Sequence, residues 1–98
     1  MASSALKDQL VSDMKSTMKS GDKSRLAVIR LILSAIKQVE VDERIELDDA
    51  RVIAVIDKMA KQRRESITQF EKAKRTDLIE IEQSELEILQ EYLPEALS

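Results

Sequence analysis

A single glycine, Gly21, and a single proline, Pro94, serve all 98 residues. Tight hairpin turns draw heavily on glycine, so such a chain has few ways to reverse direction as often as a sheet requires. Helices need fewer reversals. Ala, Leu, Ile, Glu, Lys and Arg are abundant, and the aromatics are limited to one Phe and one Tyr, a helix-forming composition. The length suits one small domain. The sequence therefore predicts an all-α, four-helix single domain.

Hydrophobic spacing sets the helices. The first spans about residues 4–20, with Leu6, Leu10, Met14, Thr17 and Met18 on one side and Gly21 as its stop. The second follows Asp22, a good N-cap, and places Leu26, Val28, Ile29, Leu31, Ile32, Leu33, Ile36 and Val39 around more than half its circumference, which predicts a central, strongly buried helix. The pattern weakens between Val41 and Leu47. Asp48 then reads as the N-cap of a third helix reaching about Lys74, with Asp49 suited to its N-terminal dipole. Its core stripe is Val52, Ile53, Ile56, Met59, Ala60, Ile67 and Phe70. The fourth helix starts near Thr76 or Asp77, with Glu80 as a capping-box partner for Asp77, and ends before Pro94. Its apolar members are Leu78, Ile81, Leu86, Leu89, Tyr92 and Leu93. Only a few residues around Lys74–Asp77 join helices three and four, so they should form an antiparallel hairpin.

The net charge of −3 conceals a segregation. Residues 58–76 carry seven basic and two acidic groups, whereas residues 77–98 carry none and seven. Arg63 falls near the middle of the apolar stripe of helix three. If the turn centres near Arg75, Arg63 stands about as far before it as Glu82 to Glu87 stand after it. A guanidinium–carboxylate pair between the helices is expected, with Glu85 the first choice and Glu82 the second. Arg30 and Lys37 belong to a basic strip on helix two, and Lys58, Lys61, Arg64 and Lys72 to another on helix three. These strips read either as contacts for a polyanion or as solvated faces balancing neighbouring acids.

Several function classes are excluded or weakened. Without His or Cys there is no imidazole base, no thiol nucleophile, no disulfide and no thiolate or imidazole metal site. Glu82 and Glu85 stand three apart, but such pairs arise by chance in a Glu-rich helix. With one glycine there is no GxxxxGKS or GxGxxG phosphate loop. The reading carries no catalytic residue, no metal and no cofactor. The start, MASSALKDQL, lacks an apolar signal core, and the run LAVIRLILSAI is too short to span a bilayer. A cytoplasmic protein without membrane attachment is expected.

The strings DKSRLAVIRLILSAIK, KQRRESITQFEKAKRTDL and ELEILQEYLP, which together extend across most of the chain, resemble the YqeY family, related to the tail region of GatB, a subunit of tRNA-dependent amidotransferase. That resemblance implies the amino-terminal helical domain of such a protein, followed in the family by a carboxy-terminal three-helix domain that is absent from this chain. It implies an association with tRNA or translation, and carries an amidotransferase label, a carbon–nitrogen ligase activity with glutamine as amido donor. The catalytic part of GatB is a separate domain with no counterpart here. The leading expectation is a non-catalytic accessory domain meeting tRNA through Arg25, Arg30, Lys37, Lys61, Arg64 and Lys72. The alternative is a module docking a protein partner, or the family's second domain, through the acidic fourth helix. Family members often have glycine where this chain has Lys74, which puts the tight stop of helix three in question.

Overall fold

A computed structural model describes residues 4–95. It contains α1 (Ala5–Ser20), α2 (Lys23–Glu43), α3 (Asp49–Lys72) and α4 (Thr76–Glu91), with no strand among the described residues. The chain divides into two compact units, Met1–Val55 and Ile56–Ser98, and the boundary falls inside α3. At ~1.5 Å per residue this 24-residue helix is about 36 Å long, enough for its two halves to serve different sets of neighbours.

In the first unit each helix start is made by a short polar side chain. The Ser4 hydroxyl accepts the Lys7 N–H at 2.9 Å, Asp22 accepts that of Arg25 at 3.1 Å, and Asp48 accepts that of Arg51 at 2.9 Å. These acceptors satisfy donors that the first helical turn leaves without partners. Gly21 closes α1 at φ 78°, its N–H on the Thr17 carbonyl at 3.0 Å. The α1 and α2 helices pack together. Leu10, Val28, Ile29, Ile32, Ile36, Leu47 and Val52 are buried. Expected to be the most buried helix, α2 shares that place with α3, which also buries four residues, Val52, Ile56, Ala60 and Ile67. Leu31, expected on the apolar arc, is 46% exposed, because that arc is wider than the surface α2 covers.

Two polar clips hold the first unit's segments together. The Glu40 carboxylate accepts the Lys7 ammonium at 2.9 Å and the Leu47 N–H at 3.1 Å, so it joins α1, α2 and the connection into α3. The Lys7 hydrogen bond first, then that of Leu47, holds the Glu40 carboxyl below its ordinary range. Asp49 accepts the Ser4 hydroxyl and the Leu6 N–H, tying the start of α1 to the start of α3. These hydrogen bonds, that of Ser4 foremost, lower the Asp49 carboxyl too.

The second unit is the hairpin of α3 and α4. The Arg75 N–H reaches the Phe70 carbonyl at 2.9 Å and the Lys74 N–H that of Glu71 at 3.1 Å, with Lys74 left-handed at φ 56°. This is the paired closure that glycine usually supplies; here lysine adopts it. The capping box expected from Asp77 and Glu80 is not formed. Arg75 occupies the N-cap position without a side-chain cap, which puts Asp77 already inside the first turn. Its carboxylate takes the Arg75 guanidinium instead, at 3.0 Å and 3.2 Å. Ile56, Ala60, Ile67, Ile88, Leu89 and Leu93 are buried in this unit. Ile81, expected among the apolar members of α4, is 57% exposed, whereas Ile88 is buried. Seven residues bring Ile88 to within about 20° of Ile81 around the axis, so position along the helix, not angle, separates them.

Candidate functional site

Within the hairpin, Arg63 Nε lies 3.2 Å from Glu85 Oε2 and 3.4 Å from Glu82 Oε2. The three side chains are each about one-fifth exposed. The Nε hydrogen bond goes to Glu85, while Glu82 Oε2 is shielded from solvent with no hydrogen bond of its own and leans on the Arg63 charge alone. One guanidinium between two carboxylates on successive turns ties the helices together. A partly buried ion pair fixes which residues face each other more surely than it stabilises.

The other cations on α3 have looser settings. Lys61 pairs with Asp57 one turn earlier at 2.9 Å but is 67% exposed, an arrangement of small energetic weight. Arg64 is half-buried and Lys72 exposed. At 100° per residue, Lys61, Arg64 and Lys72 fall within about 80° of one another around α3.

On α2, Arg25 is half-buried and 3.9 Å from Asp22, the helix cap. Arg30 and Lys37 are exposed and, seven residues apart, project within about 20° of each other. Together with Met14, Leu33, Ser34, Gln38 and Val41 they line an open groove of ≈ 480 Å³ between α1 and α2. The Arg30 guanidinium stands 3.7 Å from the Met18 sulfur, and Lys37 contributes to the field that lowers the Glu40 carboxyl. No carboxylate lines this groove. Two of its apolar neighbours stay strongly exposed, Met18 at 48% and Val41 at 59%.

The six cations expected to meet tRNA thus divide between the two units, Arg25, Arg30 and Lys37 in one and Lys61, Arg64 and Lys72 in the other. Sequence reasoning identified the basic strip of α2 but not the groove beside it. The signal was present in Arg30, Ser34, Lys37 and Val41, a four-three-four spacing that carries the strip to an apolar residue. Among the described residues, no three His, Cys, Asp or Glu side chains gather as a metal site would require. No helix among them is long and apolar enough to cross a membrane.

A helical pair and a helical hairpin, with basic strips and an apolar groove, define a small all-α protein. Comparison with known proteins identifies the lineage: the Yqey-like protein family matches residues 7–98, and this chain belongs to the YqeY family. It is 40% identical over 84 residues to the Kluyveromyces lactis protein "Altered inheritance of mitochondria protein 41, mitochondrial", a match covering 85% of this chain and 45% of the relative. The Lachancea thermotolerans protein of the same name is 40% identical over 85 residues, covering 86% of this chain and 46% of the relative. An uncharacterized protein of Schizosaccharomyces pombe is 35% identical over 82 residues, 84% of this chain and 67% of the relative. The chain spans about half the length of the first two relatives.

Proposed function

We propose that the chain is a non-catalytic accessory module that binds the phosphate backbone of tRNA through Arg25, Arg30 and Lys37 on α2 and Lys61, Arg64 and Lys72 on α3. The observation that carries this reading is that Arg30 and Lys37 are exposed on one face of α2 and Lys61, Arg64 and Lys72 gather on one face of α3, with Arg25 set about 120° to 140° around α2 from the first pair. Cations arrayed along a helix displace condensed counterions from a polyphosphate, and that release drives association without reading bases. The two aromatic side chains, Phe70 and Tyr92, are half-buried and sit on neither strip, so base stacking adds little and RNA sequence matters little. The kinship of the YqeY family with a tRNA-handling subunit points the same way. The compartment proposed is the cytoplasm, although two of the fungal relatives described are by name mitochondrial.

Titration of tRNA against the chain at two salt concentrations tests the reading. Affinity should fall steeply with salt, and Lys61→Ala/Arg64→Ala should flatten the log–log slope by about 0.7 to 0.9 per contact removed. Binding that ignores salt, or a double variant indistinguishable from the parent, rejects it. A second reading, docking of a protein partner through α4, draws support from Ile81, a large apolar side chain left 57% exposed on an acidic helix. Carbon–nitrogen ligase activity has the least support, since the sequence carries no glycine-rich nucleotide-phosphate loop, no His and no Cys.

A further inference from the structure

We propose that the groove between α1 and α2 receives the outer face of α4 from a second copy of this chain. The two surfaces are complementary in charge and in spacing. Arg30 and Lys37 flank the groove seven residues apart, and no lining residue is acidic. On α4, Glu80 and Glu87 are also seven residues apart, exposed, and without a partner among the described residues. Seven residues rise about 10.5 Å along either helix and turn about 20° short of two full turns, so a helix laid along the groove in either direction sets both carboxylates opposite both cations. Around α4, Asp77, Glu80, Ser84 and Glu87 share an arc of about 80° that Ile81 flanks.

The apolar parts match as well. Met14, Leu33 and Val41 give the groove an apolar floor, and Ile81 is an unmatched apolar residue on the approaching helix. No lysine or arginine follows Arg75, so nothing on α4 repels the groove. A single helix face in a single groove buries less than a stable interface needs, so the association is weak, concentration-dependent and salt-sensitive. Because Arg30 and Lys37 serve both this contact and the tRNA contact, a second copy and tRNA would compete for them. The inference goes beyond the tRNA reading, and its principal measurement needs no RNA.

Sedimentation of the full chain over a concentration series, at low and at moderate salt, supplies the measurement. The weight-average mass should rise with concentration and fall back with salt. Arg30→Glu/Lys37→Glu and Glu80→Lys/Glu87→Lys should each weaken self-association at least about tenfold, because each sets like charges against each other. All four positions are exposed, so unchanged helicity is expected of both variants, with a somewhat lower melting temperature for the groove variant because Lys37→Glu sets a like charge near Glu40. An equimolar mixture of the two reversed chains should regain association, since each supplies the charges the other lacks. A parent that is monomeric throughout, self-association that survives either reversal, or a mixture that fails to associate overturns the proposal. So does a groove reversal that abolishes retention of tRNA while leaving the mass profile unchanged, which would assign the groove to nucleic acid.

Discussion

Replacing Glu40 with alanine should destabilise the chain by about 2 to 3 kcal/mol, more than half of it from one backbone N–H. The Leu47 N–H donates to Glu40 at 3.1 Å, and Leu47 is 1% exposed, so water cannot readily replace the lost acceptor. A hydrogen bond to a charged group contributes roughly 1.5 to 3 kcal/mol when its loss strands a shielded donor. Lys7 also loses its partner, but its side chain is 34% exposed and can rehydrate, so this share is about 0.2 to 1 kcal/mol. Urea denaturation followed by circular dichroism reads the sum as a midpoint lowered by about 1.3 to 3 M, given a slope near 1 to 1.5 kcal/mol/M for so small a chain. Glu40→Gln keeps an acceptor for Leu47 and should cost only about 1 kcal/mol. A double-mutant cycle with Lys7→Ala should return a coupling of about 0.5 to 1 kcal/mol. Glu46, exposed nearby, is the control, and its alanine variant should stay within about 0.5 kcal/mol of the parent. If Glu40→Ala and Glu46→Ala unfold at the same midpoint, the clip does not hold the connection and the reasoning is wrong.

Arg63→Ala should cost about 2 to 4 kcal/mol, because it leaves Glu82 and Glu85 close together and partly buried without their cation; Arg64→Ala should cost far less, and equal denaturation midpoints would refute the distinction. Lys74→Gly should stabilise by about 0.5 to 1 kcal/mol, since glycine adopts the left-handed region without the strain that a β-carbon brings, whereas Lys74→Ala should be nearly neutral. Acid should weaken the fold in a defined window: hydrogen bonding lowers the folded-state carboxyl of Glu40, so its contribution is complete above the ordinary value of 4.5 and is lost as pH falls through the lower folded value. Asp49 and Asp77, lowered from an ordinary 3.8, extend the loss further down. Melting temperatures at stepped pH should decline below about pH 4.5, and Glu40→Gln should flatten the first part of that decline; an unchanged profile in the variant would remove Glu40 from the explanation.

The helix boundaries were most legible in the first unit, where several carry a local chemical sign. Ser4 and Asp22 lie just before the first helical turns they cap, and Gly21 just after the helix it ends. The placement of Arg63 against α4 was legible for a related reason. A short hairpin converts distance from the turn into spatial opposition, and an arginine in an apolar stripe needs an anion. What could not be read depends on contacts far apart in sequence. Nothing local distinguishes Glu40 from the other acids near it, since its partners stand 33 residues before it and seven after it. Leu31 and Ile81 illustrate the converse. Periodicity gives the angle of a side chain around its helix, but whether a neighbour covers that stretch depends on where each helix ends. The groove lies between those cases, with its α2 wall written in a regular spacing and its α1 wall supplied by packing.

Arg44 and Lys74 both adopt left-handed backbone angles, each at φ 56°. For a side chain with a β-carbon that geometry is uphill by about 1 to 2 kcal/mol, so neither bend is favoured by its own residues. A hairpin closed by glycine can zip from its loop outward; one closed by Lys74 has to be driven from its flanks inward. Burial of Leu89 and Ile67 and the Arg63 bridge should then come first, with the bend between α3 and α4 imposed afterwards. Substitutions at Leu89 should accordingly slow refolding, while those at Lys74 should chiefly change the rate of unfolding. The bend at Lys74 should then be the last part of the hairpin to form, its stability drawn from side chains several turns away.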